Sequence, residues 1–161
     1  MTIISKEYSF DAAHILPSHK GKCRNLHGHT YQVRVDIDGP INSETGMVID
    51  FGDVSGVVKP IIQSFDHSFI AGIIRKDNQW TSVDVLLDLC IDEGWKVKRI
   101  DYPHTTAENI ALTLQTEIIK GLMTCSNGMS VRVVVWETPS SFAQTTWRYY
   151  SSNKNELKVV V

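Results

Sequence analysis

From Thr30 to Asp38, the apolar residues Tyr31, Val33, Val35 and Ile37 alternate with polar neighbours. A period of two puts one face of a strand in a core and leaves the other wet, so the segment predicts a half-buried strand, ended by Gly39-Pro40. Residues 3–10 predict an earlier strand continuing towards His14, with a turn-rich loop at 17–21 between the two. After a turn at 42–46 the period changes. Val54, Val57, Val58, Ile61, Ile62 and Phe65 recur at helical spacing, although Gly56 and Pro60 are poor helix formers. Residues 69–74 predict a short strand. Val83, Leu86, Leu87, Cys90 and Ile91 predict a second helix stopped by Gly94, and 96–100 another strand. Thr105-Thr106-Ala107-Glu108 matches a capping box at the start of a third helix. Ile110, Leu114 and Ile118 give that helix its buried stripe, and Gly121 its stop. Residues 129–137 predict a buried strand, 145–150 a last one, and 153–156 a polar turn. The order is α+β, with hairpins at both ends and helices between.

Composition narrows the class. The chain has 161 residues, 42% hydrophobic and 21% charged, which fits one soluble domain, 1–161, with a single core. A net charge of −2 gives no basic footprint for nucleic acid. No apolar run approaches the roughly 20 residues of a membrane span. Residues 1–10 alternate polar and apolar side chains, unlike a signal peptide. Three cysteines, at 23, 90 and 125, form no staple pattern, so a reducing cytoplasm is expected. Cys90 lies in a helical apolar stripe and reads as core.

The chemistry concentrates in Cys23-Arg24-Asn25-Leu26-His27-Gly28-His29. Histidines at i and i+2 of an extended segment project from one side and can share an ion. A hairpin between the first two strands brings His14 beside them. Three imidazoles are a recurrent set for catalytic zinc, which keeps a fourth position open. Zinc is favoured over iron because the motif holds no carboxylate to complete a facial triad. The bland alternative is a polar His-Gly-His turn and a lone surface His14. Cys23 is ambiguous by chemistry alone. It fits the fourth ligand of a closed structural site, or an unbound thiol acting as base or nucleophile.

Asp66-His67 follows the first helix, and a carboxylate beside a histidine can fix its tautomer and make it a proton relay. On its own that dipeptide is a weak signal. Glu137 ends an apolar run, where a charge needs a partner, and it can accept two parallel hydrogen bonds from a guanidine-like ligand edge.

These segments, in this order, resemble the 6-pyruvoyltetrahydropterin synthase family across nearly the whole chain. Phe10-Asp11-Ala12-Ala13-His14 resembles its first metal-ligand motif, and residues 23–29 resemble its catalytic cysteine with the other two ligands. Gly46-Met47-Val48-Ile49-Asp50-Phe51 resembles its turn into the first helix, with Asp50 structural. Phe65-Asp66-His67 resembles its relay, Thr106-Ala107-Glu108-Asn109 the start of its last helix, and Trp136-Glu137-Thr138 its pterin anchor. The short gap from Cys23 to His27 is similar to the 6-carboxytetrahydropterin synthase branch, which serves 7-deazaguanine (queuosine) biosynthesis. Residues 68–104 exceed the loop of the shortest members and read as an ordered helix-strand insertion. Pro103-His104-Thr105-Thr106 replaces the usual Asn-Pro-Thr, and His104 reads as an exposed loop residue.

The resemblance implies a tunnelling fold: a four-stranded antiparallel sheet with helices on one face. It implies a zinc-dependent lyase acting on 7,8-dihydroneopterin triphosphate, with His14, His27 and His29 on the metal and Cys23, Asp66 and His67 catalytic. Glu137 would anchor the pterin, Thr105 and Thr106 would add contacts to its ring, and Glu108 would cap the helix. Lys20, Lys22 and Arg24 meet the triphosphate or form a solvated basic loop. Subunits of this family join into a trimeric barrel, two of which stack into a homohexamer. Three alternatives stay open: the pyruvoyl-forming reaction on the same substrate, a pterin-binding module without turnover, and a structural zinc protein with a Cys-His₃ site.

Overall fold

A computed structural model of the protein describes residues 2–73, 82–122 and 129–148. The end of the strand expected at 69–74, Cys125, residues 149–150 and the turn at 153–156 lie outside them. Among the described residues, six strands form one sheet in the order β4-β3-β1-β2-β5-β6. They are β1 (Thr2–His14), β2 (His27–Gly39), β3 (Ser68–Gly72), β4 (Val97–Ile100), β5 (Ser130–Thr138) and β6 (Ser141–Arg148). Between them run α1 (Phe51–Phe65), α2 (Ser82–Asp92) and α3 (Ala107–Leu122).

The four antiparallel strands expected are β1, β2, β5 and β6. The sheet has six because β3 and β4, both inside the 68–104 segment, extend it by parallel pairing beyond β1. The periodicity predicts strands at both places; the count of four belongs to the family resemblance, whose sheet does not include strands from this segment. The α+β architecture stands.

Alternation decides which face is buried. Phe10, Ala12, Tyr31, Val33, Val35, Ile37, Val131, Val133 and Val135 form one core with Val54, Val58, Ile62 and Phe65 of α1 and Ile110, Leu114 and Ile118 of α3. Phe10 stacks on Tyr31 with ring centroids 4.8 Å apart and leans on Phe65 at 5.4 Å. Fully burying a ring or branched side chain of this size contributes roughly 1.5–3 kcal/mol. Gln115 bridges α3 to the sheet, donating to the Val131 carbonyl at 3.0 Å and accepting from the Thr145 hydroxyl at 2.9 Å. That buried amide is therefore satisfied.

The helix α2 packs on the opposite side. Phe69 and Ala71 form a second cluster with Cys90, against Leu86, Leu87, Val97 and Ala13, while Ile70 joins the main core. β3 is thus covered on both faces, the physical reason its apolar residues run without alternation. Asp50 caps α1, accepting from the Gly52 amide. The helix spans 51–65 despite Pro60, which sits at an exposed position. α3 begins one residue later than the capping box implies. Thr105 spends its hydroxyl on the Ile15 carbonyl at 3.2 Å, and Glu108 is exposed.

Candidate metal centre and active site

The β1–β2 register builds the centre. His14 lies opposite His27 and Ala12 opposite His29. His14, His27 and His29 therefore point to the same face, the one that carries the core. Their ring centroids are 4.4 Å (14–27), 5.2 Å (14–29) and 5.1 Å (27–29) apart. One ring nitrogen from each lies within 4.8 Å of the other two. Gly28 lets the strands meet here: a Cβ at that position would stand 2.9 Å from the Ala12 carbonyl oxygen.

The rings are held from behind. His14 Nδ1–H donates to the Thr105 carbonyl at 2.7 Å, and His27 Nδ1–H to the Asn25 carbonyl at 2.8 Å. Those bonds fix the tautomer and leave the Nε2 lone pairs free. Both Nε2 atoms are buried without a hydrogen-bond partner. The His29 ring hydrogen-bonds to the Glu137 backbone. Burial lowers the His14 pKa to about 4, helped by the neighbouring His27 and His29. Burial also lowers that of His29. Imidazoles with converging ring nitrogens, those of His14 and His27 unpaired, and with braced outer edges fit a divalent metal of the zinc type.

Tyr31 and Glu137 complete the surroundings. The Tyr31 ring lies 5.4 Å from that of His29, and its buried hydroxyl has no partner. Burial and the charge of Glu137 push its pKa up. Burial, and then the like charge of Glu108, raise the Glu137 pKa, while His27 opposes the rise. Gly28, His29, Thr30, Gln32, Trp136, Glu137 and Thr138 line one cavity of about 730 Å³. A small aromatic heterocycle fits that volume.

Cys23 lies half-buried in the short 3₁₀ turn Lys22–Arg24, its carbonyl accepting from the Leu16 amide at 3.0 Å. It does not join the histidines in the set of mutually close ligand atoms. Thr105 is 3% exposed and its polar atoms serve His14 and Ile15. Thr106, half-buried, is the freer of the pair. His104 is exposed, and its carbonyl accepts from Asn109.

Asp66 and His67 are placed elsewhere. They gather around Asp11, whose side chain alternates away from His14 to the other face of β1. His67 Nδ1–H donates to Asp66 at 2.9 Å, Asp66 accepts from the Asp11 amide at 3.0 Å, and the His67 amide donates to the Asp11 carbonyl at 2.6 Å. Chiefly that Asp11 amide, and then His67, lower the Asp66 pKa. Among the described residues, then, the three histidines stand together with Glu137 beside them, His67 stands with Asp11 and Asp66, and Cys23 belongs to neither set. Sequence reasoning did not single out Tyr31 or Asp11 individually, although Tyr31 shares the parity of His27 and His29.

The family model for 6-pyruvoyl tetrahydropterin synthase matches residues 3–147. A 6-carboxy-5,6,7,8-tetrahydropterin synthase of Haemophilus influenzae is 37% identical over 146 residues, covering 88% of this chain and 96% of the relative. One from Rickettsia felis is 33% identical over 143 residues, covering 87% and 96%. Among solved structures, the 6-pyruvoyl tetrahydropterin synthase of Plasmodium falciparum has the same fold at a TM-score of 0.68 and 22% identity, covering 91% of this chain and 98% of its own.

Proposed function

Because the chain belongs to the 6-pyruvoyl tetrahydropterin synthase family, we propose that it is a zinc-dependent lyase that converts 7,8-dihydroneopterin triphosphate and water to 6-carboxy-5,6,7,8-tetrahydropterin, acetaldehyde and triphosphate. The observation that carries the reading is the convergence of His14, His27 and His29, with buried Nε2 atoms of His14 and His27 unpaired. Relatives bearing that enzyme name over most of both chains support the branch.

Each residue has a part set by its chemistry. His14, His27 and His29 hold the zinc, which as a Lewis acid would make the hydroxyls of the substrate side chain easier to deprotonate. Glu137 binds the pterin, its carboxylate accepting a bidentate pair from the amino group and ring N–H and orienting the side chain towards the histidines. Thr106 adds a hydroxyl at the ring, and Thr105 contributes by holding His14. Cys23 moves a proton at the substrate carbons. His67, oriented by Asp66, is its acid or base counterpart.

Among the described residues Cys23 joins no set of close ligand atoms, while His67 gathers with Asp11 and Asp66, and we assign an active site that takes the two from different copies. Among the described residues β4 and β6 are the edges of the sheet, and open edges favour closure with further subunits. A homohexamer of two stacked trimers is the assembly we assign, in the reducing cytoplasm that free Cys23 and Cys90 suit.

The test is mass spectrometry of products from zinc-loaded protein and 7,8-dihydroneopterin triphosphate, with a parallel acetaldehyde assay. Carboxytetrahydropterin with acetaldehyde is expected. Pyruvoyl product without acetaldehyde overturns the branch, and pterin binding without turnover overturns catalysis.

A further inference from the structure

His67 has a backbone φ of +52°. A non-glycine residue in that left-handed region is strained and persists only when its surroundings hold it there. The Asp11 amide and carbonyl hold one side of the turn, through Asp66 and the His67 amide. The other side is held by a residue of the 68–104 segment. Lys96 Nζ donates to the carbonyl of Asp66 at 2.8 Å and to that of Gln63 at 2.6 Å. The Lys96 carbonyl in turn accepts from the Phe69 amide at 2.9 Å.

The Asp66 carbonyl belongs to the peptide that leads into His67, so its orientation fixes the plane from which the strained residue departs. The Gln63 carbonyl is one of the last of α1 and lacks a helical partner. A lysine ammonium suits this negative end of the helix dipole. One side chain thus ties the end of α1 to the first residue of the relay, while its own backbone ties the same point to β3. We propose that Lys96 is a positioning residue of the reaction: it holds the Asp66–His67 turn in the geometry that aims the imidazole at its substrate. The proposal rests on the assignment of Asp66–His67 as the relay, and it gives the 68–104 segment a task in catalysis.

Lys96→Met keeps the aliphatic stem and removes the ammonium. It is expected to lower kcat about tenfold, the scale of a lost outer-sphere support, with KM and zinc content unchanged. Lys96→Arg, which keeps the charge and donors, is expected to return most of that rate. In a His67→Ala background Lys96→Met should cost nothing further. An equal loss in both backgrounds, or a wild-type kcat in Lys96→Met, overturns the proposal. A second readout does not need turnover. Histidine-selective ¹⁵N NMR should show His67 protonated at Nδ1 in the wild type and as mixed tautomers in Lys96→Met. Identical His67 ring shifts in the two proteins overturn the positioning role. If the wild type shows no turnover, the relay assignment fails, and the ring shifts still decide what Lys96 holds.

Discussion

The Nδ1 of His14 donates to the backbone carbonyl of Thr105, 2.7 Å away and 91 residues later in the chain. The bond comes from the peptide that enters α3; the Thr105 hydroxyl stands farther from the same nitrogen, at 3.4 Å, and donates to the Ile15 carbonyl at 3.2 Å, so the carbonyl does most of the aiming. Thr105→Ala is expected to keep metal content unchanged, while His14→Ala lowers bound zinc at least tenfold. Metal analysis of the purified variants checks both. Full zinc in His14→Ala would move the metal away from this centre.

Cys23→Ala separates a catalytic thiol from a fourth ligand. Zinc should stay bound at wild-type stoichiometry while product formation falls by at least 100-fold, the range of a lost general acid or base. Loss of zinc together with thermal stability would favour the closed Cys-His₃ site instead.

Two inactive variants should rescue each other. If each site takes Cys23 from one copy and His67 from another, half of each class of position is intact in an equal mixture of Cys23→Ala and His67→Ala subunits. Co-refolding them should restore about a quarter of wild-type activity, from sites in which both are intact. A mixture no better than its parts would place both groups in one chain's site.

Glu137→Gln leaves one acceptor oxygen and puts an amide N–H where a second acceptor is needed. A charge-assisted hydrogen bond contributes about 1.5–3 kcal/mol, so KM for the pterin should rise roughly 10- to 100-fold. Steady-state kinetics with unaltered zinc content checks this. An unchanged KM would remove Glu137 from the pterin edge.

Asp36 predicts an acid limb of stability. Burial alone would raise its pKa, but the Ser5 hydroxyl, Arg132 and Arg34 outweigh it, and the net shift is downward from 3.8. The contribution is therefore present above about pH 4 and lost as pH falls through the lower, folded value. Its carboxylate accepts from Ser5 at 2.6 Å and pairs with Arg132 at 2.6 Å. Asp36→Ala should cost about 2 kcal/mol at pH 7 in urea melts. The gap to wild type should narrow at pH 3, and a constant gap would contradict the ionic account.

Local patterns carried much of this molecule. The alternation of Tyr31, Val33, Val35 and Ile37 gave β2, and its parity carried over to His27 and His29. The stripe of Ile110, Leu114 and Ile118 gave α3. What stayed hidden depends on register and strand order, which no short window contains. The parallel insertion of β3 between β1 and β4 is one case. The placement of Asp66–His67 is another: Asp11 and His14 are three residues apart, yet the pleat sends them to opposite faces of β1. Lys96 was invisible for the same reason, since a solvated lysine looks the same whether or not a carbonyl waits within reach.

The ladder that sets His14 opposite His27 closes before the chain leaves for residues 15–26 and reopens only when it returns. Strand pairing therefore sets where the imidazoles stand, and the loop enters their geometry through the Asn25 carbonyl that braces His27. Residues before Cys23 can be exchanged while Asn25 and the paired strand ends keep the three imidazoles in place, so proton-transfer chemistry can be varied over a centre that stays assembled. For protein engineering this makes residues 16–22 the natural place to diversify, and Cys23, Asn25 and the paired strand ends the places to leave alone.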